Sequence, residues 1–253
     1  MNGAAQTARR GTFELRRMLA GRVDDLLGGS RPLLGGRAEA GLQLRLLLPA
    51  DAYRKPVVLA IPPGGVLVAE PIADQLNAPL DVVVVEMLRL PGETVTSPLG
   101  AIAPGTRRLL GPEELRALSV QAWAPDFLAE CEQDDLDRLE NVYRSGRTSL
   151  DLAGRTAVVV DDGLTPSLGL LAALDSVRLS KPDRVIVVAP LVPDPLLRQL
   201  LDAGFEVVRL LGDEKERSGL SSLLYGDEPP PSDGVARAAL VRAARRIPGS
   251  WQR

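Results

Sequence analysis

The chain predicts an α/β domain built on a mostly parallel sheet, and three observations carry that expectation. From residue 57 onward, short β-branched runs alternate with helical stretches of apolar periodicity, the pattern of repeated strand–helix–strand units. The strand candidates are continuous apolar runs, such as Ala157, Val158, Val159 and Val160, as expected of strands covered on both faces. Glycine- and proline-rich turns follow the strands at 62–65 and 163–166, where an open α/β sheet binds its ligands.

The elements follow in order. Residues 13–20, continued by Val23, Leu26 and Leu27, fit a short amphipathic helix in an Arg- and Gly-rich opening. Residues 37–48 read as a helix, 57–61 as a buried strand, 66–76 as a helix and 80–85 as the next strand. The 86–112 stretch is irregular and rich in Pro, Gly and Thr, which suggests a functional flap. Residues 125–144 read as one helix with an acidic middle at Asp134, Asp135 and Asp137. Strands at 156–160, 184–189 and 205–210 alternate with helices near 167–179 and 195–203. A Pro-rich loop at 228–234 precedes a basic helix at 235–246. This divides the chain into a basic N-terminal extension (1–35), one domain (36–247) and a tail (248–253).

Composition excludes several kinds of chemistry. The chain has 253 residues, enough for one large domain or two small ones, and 45% hydrophobic content supports a core, made mainly of Leu, Val and Ala because only 3% is aromatic. The absence of histidine removes imidazole zinc sites and any Ser–His or Cys–His nucleophile pair. The single cysteine, Cys131, excludes an internal disulfide and fits a reducing, cytoplasmic setting as an idle or buried thiol. No run approaches the ~20 apolar residues of a membrane span, and the arginines near the start are not followed by the apolar stretch of a signal peptide. A net charge of −3 gives no general case for nucleic acid. The basic ends (Arg9, Arg10, Arg16, Arg17; Arg237, Arg242, Arg245, Arg246) offer a contact for phosphate backbone or an acidic protein partner, or serve only solubility. Trp123 and Trp251 read as isolated, without the stacking platforms of single-strand binders.

The residues that carry chemistry lie at 161–169. Two adjacent carboxylates, Asp161 and Asp162, end a strand and are followed by Gly163, Leu164, Thr165, Pro166, Ser167, Leu168 and Gly169. Carboxylates accept hydrogen bonds from a sugar diol, and free N–H groups at a helix start hold a phosphate. The alternative is an acidic turn capping a helix, with Thr165 as N-cap and Pro166 at the first helical position. Pro62, Pro63, Gly64 and Gly65 form a second turn, in which two glycines let backbone approach an anion; read alone, it is a tight strand-to-helix turn.

The ordered series resembles type I phosphoribosyltransferases, and most closely a family of bacterial members of uncertain substrate. It comprises Arg37-Ala38-Glu39-Ala40-Gly41, Ile61-Pro62-Pro63-Gly64-Gly65-Val66, Ala78-Pro79-Leu80-Asp81-Val82, Leu99-Gly100-Ala101-Ile102-Ala103, Tyr143-Arg144-Ser145-Gly146-Arg147 and Asp161-Asp162-Gly163. Tyr225 and Asp227 fall where that family has a C-terminal tyrosine and acid, in a hood formed by the flap and chain ends. The resemblance implies a donor, phosphoribosyl pyrophosphate, whose ribose diol meets Asp161 and Asp162 and whose pyrophosphate meets the 62–65 loop. A base would attack the ribose C1 as pyrophosphate leaves, usually with Mg²⁺, and the protein would be a homodimer.

Three departures bear on that activity. The first loop usually carries Arg where this chain has Pro63, which brings neither cation nor N–H. Because an X–Pro bond lowers the penalty for the cis form that related enzymes hold there, a cis Pro62–Pro63 peptide is expected. The flap usually begins Arg-Lys; here it begins Glu86-Met87, with Arg89 the nearest compensating cation. The phosphate loop usually ends Thr-Gly-x-Thr; here Pro166 removes a donor and Leu168 adds bulk. The expectation is a phosphoribosyltransferase-like protein with a degraded donor site, non-catalytic or weakly active, that binds a nucleotide-like ligand or a partner. The alternatives are an active phosphoribosyltransferase acting on an unknown base, and nucleic-acid binding through the termini. Leu168 and Pro166 filling the cavity would point to a protein-interaction role.

Overall fold

In the computed structural model the described residues are 32–90, 98–212 and 220–247. The proposed helix at 13–20, the N-terminal arginines and the tail lie outside them.

The central sheet has five parallel strands. β1 (Pro56–Ala60) is flanked on one side by β2 (Leu80–Val82) and on the other by β6 (Thr156–Val160), then β7 (Arg184–Leu191) and β8 (Glu206–Leu211), giving the order β2-β1-β6-β7-β8. Alternate residues of each strand enter opposite cores. Val58, Ala60, Val158, Val160, Ile186 and Val188 face one side, where they pack with α1 (Arg37–Leu44), α2 (Gly64–Leu76) and α9 (Asp233–Arg246). Val57, Leu59, Ala157, Val159 and Val187 face the other, with α6 (Ser167–Leu179) and α7 (Asp194–Asp202). This two-sided burial is why the strands read as unbroken apolar runs. The buried carboxylate of Asp81 fastens edge strand β2, accepting from the N–H of Leu150 at 3.1 Å and from Arg144 Nε at 3.4 Å.

The connection runs from β1 to β2 on one side and later returns to β6 on the other. The strand order therefore reverses between β1 and β6, and the crevice at their carboxyl ends is where such a sheet places a ligand. Both loops singled out in the sequence lie there.

The described part of the flap is mostly strand rather than irregular. β3 (Glu86–Leu88), β4 (Gly100–Ala103) and β5 (Thr106–Leu109) form a separate antiparallel sheet in the order β3-β4-β5, with 91–97 outside the described residues. Ala103 pairs with Thr106 across a two-residue Pro104–Gly105 turn, and Gly105 has φ +74°. Strands of three or four residues are too short to show a period, although Pro-Gly is a turn signal. The sheet is pinned to α6 by a bidentate pair, Arg108 to Asp175 (Nη2 to Oδ1 2.9 Å), and by Ser176 Oγ donating to the Pro104 carbonyl at 2.7 Å.

Other boundaries moved. The helix expected over 125–144 is two, α4 (Ala124–Cys131) and α5 (Gln133–Arg144). The break falls among like-charged helical neighbours, Glu130 with Asp134 and Glu132 with Asp135, which weaken a continuous helix. The expected acidic middle is a solvated face, and Cys131 is exposed rather than buried. The second strand stops at Val82 because Val83 to Val85 turn away toward β3. Two short helices, α3 (Pro112–Ala117) and α8 (Leu220–Tyr225), had no counterpart in the sequence reading.

Gly41 sits mid-helix in α1, where glycine costs about 1 kcal/mol against alanine. Its reason is a close crossing: a Cβ there would collide with the Val68 carbonyl and Pro71 of α2. Gly41→Ala is expected to lower unfolding free energy by about 1–3 kcal/mol in urea melts, the usual cost of overpacking, despite the better helix former.

Candidate functional site

β6 ends at Val160, and the next two side chains are buried acids, Asp161 and Asp162, with 2% and 7% exposure. Asp161 Oδ2 accepts from the N–H of Gly163 at 2.7 Å, and its Oδ1 accepts from the Thr165 hydroxyl. Asp162 Oδ1 accepts from the N–H of Leu164 at 3.2 Å, and its Oδ2 from Arg37 Nε at 2.9 Å. All four carboxylate oxygens thus accept a hydrogen bond from the chain itself. Gly163 makes the turn possible, with φ +80° and the Leu191 backbone against it. Burial first, and then the neighbouring Asp162 charge, raise the Asp161 carboxyl to about 7; the bonds from Thr165 and Gly163 only partly offset this.

Arg37 is the partner that the sequence reading missed. It is 1% exposed at the first turn of α1. Its backbone N–H donates to Glu228 Oε2 at 2.8 Å and its Nη1 to Glu228 Oε1 at 3.3 Å. The guanidinium carbon lies 4.3 Å from the centre of the Tyr225 ring, and the Tyr225 hydroxyl donates to the Asp162 carbonyl. Burial opposes the Arg37 charge, but the hydrogen bond and attraction of Asp162, aided by Tyr225 and Glu228, outweigh it and raise its pKa. The two residues expected in the hood part company here. Tyr225 is in the network, whereas Asp227 is exposed and the acid that meets Arg37 is Glu228. The available signal for Arg37 was its sign, since a cation at a helix N-terminus opposes the dipole and needs nearby carboxylates.

The first loop closes onto the same acids. The Pro62–Pro63 peptide is cis, as expected. A Cβ on Gly64 would collide with Asp162 Oδ2, and one on Gly65 would stand 2.7 Å from the Val160 carbonyl oxygen. The two glycines bring backbone close to β6 and its acid, so this approach is taken up within the chain.

The loop expected to hold the phosphate is flanked by apolar side chains. α6 begins at Ser167, with Pro166 rather than Thr165 as its N-cap, and the Thr165 hydroxyl serves Asp161 instead. The Gly169 N–H, expected to be free for an anion, donates to the Pro166 carbonyl at 2.9 Å. A Cβ on Gly169 would stand 2.9 Å from Met87 Sδ, so the thioether lies against this first turn. Leu168, Met87 and Val85 pack around Ala101, Ala103 and Ala172. On the other face of β3, burial and then the charges of Glu132 and Asp135 push the Glu86 carboxyl up. Arg89 is exposed just beyond β3. No group of three or more His, Cys, Asp or Glu able to hold a metal ion occurs among the described residues, and the acid pair already serves the chain.

A parallel sheet with these two loops at its switch point and a small flap sheet beside them defines a type I phosphoribosyltransferase-like domain. The family model described as Phosphoribosyl transferase domain matches residues 45–199, and the chain belongs to that family. It is 35% identical over 178 residues to Putative phosphoribosyl transferase Rv0571c of Mycobacterium tuberculosis H37Rv, and equally to Putative phosphoribosyl transferase MT0597 of strain CDC 1551. The match takes in 70% of this chain but 40% of each of those proteins. The crystal structure of TT1426 from Thermus thermophilus is 31% identical, with TM-score 0.64 over 83% of this chain and 98% of that one. Among the described residues no helix is long and apolar enough to cross a membrane.

Two outcomes follow from the acid pair. The folded chain holds the Asp161 proton to a higher pH than the unfolded chain does, so stability is greatest below about pH 4 for this group and falls as pH rises toward neutrality. Melting temperatures of wild type should therefore drop between these limits more than those of Asp161→Asn, which becomes the more stable of the two above neutrality. Arg37→Met leaves the buried Asp162 charge unpaired and should cost about 3–5 kcal/mol in chemical denaturation; Arg37→Met/Asp162→Asn should recover part of that loss.

Proposed function

We propose that this chain is a phosphoribosyltransferase-fold protein whose donor site is closed by its own side chains, so that it is non-catalytic or weakly active and acts through a partner. The observation that carries the reading is the Met87 thioether on the first turn of α6 at Gly169, where a phosphate needs bare backbone donors. An apolar group there offers an anion no hydrogen bond and removes it from water. The acid pair supports the same reading, because a ribose diol would have to share or displace bonds from Gly163, Leu164, Thr165 and Arg37. Each lost charge-assisted contact is worth about 1.5–3 kcal/mol, so several together reduce donor affinity by orders of magnitude. Mg²⁺ enters only with phosphoribosyl pyrophosphate. Nucleic acid is the weaker candidate. Of the four C-terminal arginines, Arg242 is bidentate to Glu70 and Arg246 pairs with Asp74, which neutralises part of that basic face.

Isothermal titration of phosphoribosyl pyrophosphate with Mg²⁺ tests the proposal. No heat is expected up to millimolar ligand. Micromolar binding that disappears in Asp161→Asn/Asp162→Asn would mean that the donor site works, and would restore the transferase reading.

A further inference from the structure

Aromatic side chains are scarce in this sequence, which has two Trp and three Phe. One of each is spent on a single exposed site. Trp123 and Phe127, one helical turn apart at the start of α4, are 63% and 55% exposed. Their rings meet edge to face at 5.9 Å between centroids, so Trp123 is not isolated as its sequence context suggested. Between them Asp126 pairs with Arg107 of β5 at 2.8 Å, both half exposed. Beside this knob lies a hollow of about 450 Å³, lined by Ile102, Gly105, Thr106, Arg107, Ala129 and Glu130 among others. Leu179, 60% exposed at the end of α6, stands beside Gly105 on its rim.

We infer that this face is the contact between two copies of the chain, the Trp123–Phe127 knob of each entering the hollow of the other. Three features select a second copy as the occupant. A two-fold interface needs a patch complementary to itself, and here an apolar knob and a hollow large enough for an aromatic side chain lie side by side. The charges are also self-complementary, because Arg107 can exchange Asp126 of its own chain for that of the other. The area is sufficient: a buried Trp or Phe contributes about 150–250 Å². Being 63% and 55% exposed, the four rings lose only part of that, roughly 350–600 Å²; the hollow walls they cover leave solvent as well, and with Leu179 and the rim the total comes near the ~1,000 Å² expected of a specific contact. The inference does not depend on whether the donor site binds ligand.

Sedimentation velocity of the full chain over about 1–100 μM gives the test, since an interface near the lower size limit is concentration-dependent. A monomer–dimer equilibrium is expected, with Trp123→Ala/Phe127→Ala and, separately, Phe127→Glu shifting it at least tenfold toward monomer while circular dichroism stays unchanged. In a Trp251→Phe background, Trp123 emission should shift to shorter wavelength with dimerisation. A monomer throughout the range, or a dimer that survives both knob variants, overturns the inference.

Discussion

A guanidinium almost entirely out of water at the first turn of a helix is misplaced on two counts. Burial strips its hydration, and the helix N-terminus repels its charge. Arg37 persists there because Asp162, Glu228 and the Tyr225 ring surround it. Those three groups come from the end of β6 and the segment around α8, while Gly64 of the first loop lies against the same Asp162 carboxylate. Segments almost 200 residues apart in sequence (|i−j| = 191 for Arg37 and Glu228) are tied at one buried point. Removing either charge leaves the other stranded in low dielectric, which makes the clamp costly to break even where its net contribution to stability is small.

The donor-site changes also make more sense in space than along the chain. Met87 and Leu168 lie 81 positions apart by number, yet they pack in one small cluster with Val85 and three alanines from β4 and α6. A cation at 87 would lie among these apolar side chains, and a small polar residue at 168 would leave the flap sheet without an apolar seat. Together they make the seam by which the flap sheet rests on α6, reinforced by the Arg108–Asp175 pair. That surface is used for protein packing.

Much of the fold could be read in advance. The strand at 156–160 and the helix at 167–179 have the expected boundaries, because long, unbroken patterns leave little ambiguity. The acid pair and the glycine loop were recognisable, and the structure brings them together at the switch point. What escaped depends on partners distant in sequence. Arg37 was legible only as the start of a helix motif, and its buried role shows only with Asp162 and Glu228 in place. Asp227 and Glu228 are adjacent acids, and only the path of the loop after α8 decides which one turns inward. The flap strands are too short for a period, and the break at Glu132 is set by charges within a stretch whose apolar spacing still reads as one helix.

A crystal structure of the chain grown with saturating phosphoribosyl pyrophosphate and Mg²⁺ tests the central claim most directly. The account predicts Arg37 Nε still on Asp162, Met87 still against Gly169, and no ribose at the acid pair. A ribose diol bonded to Asp161 and Asp162, with Arg37 turned away and the Met87 side chain lifted from α6, would contradict it.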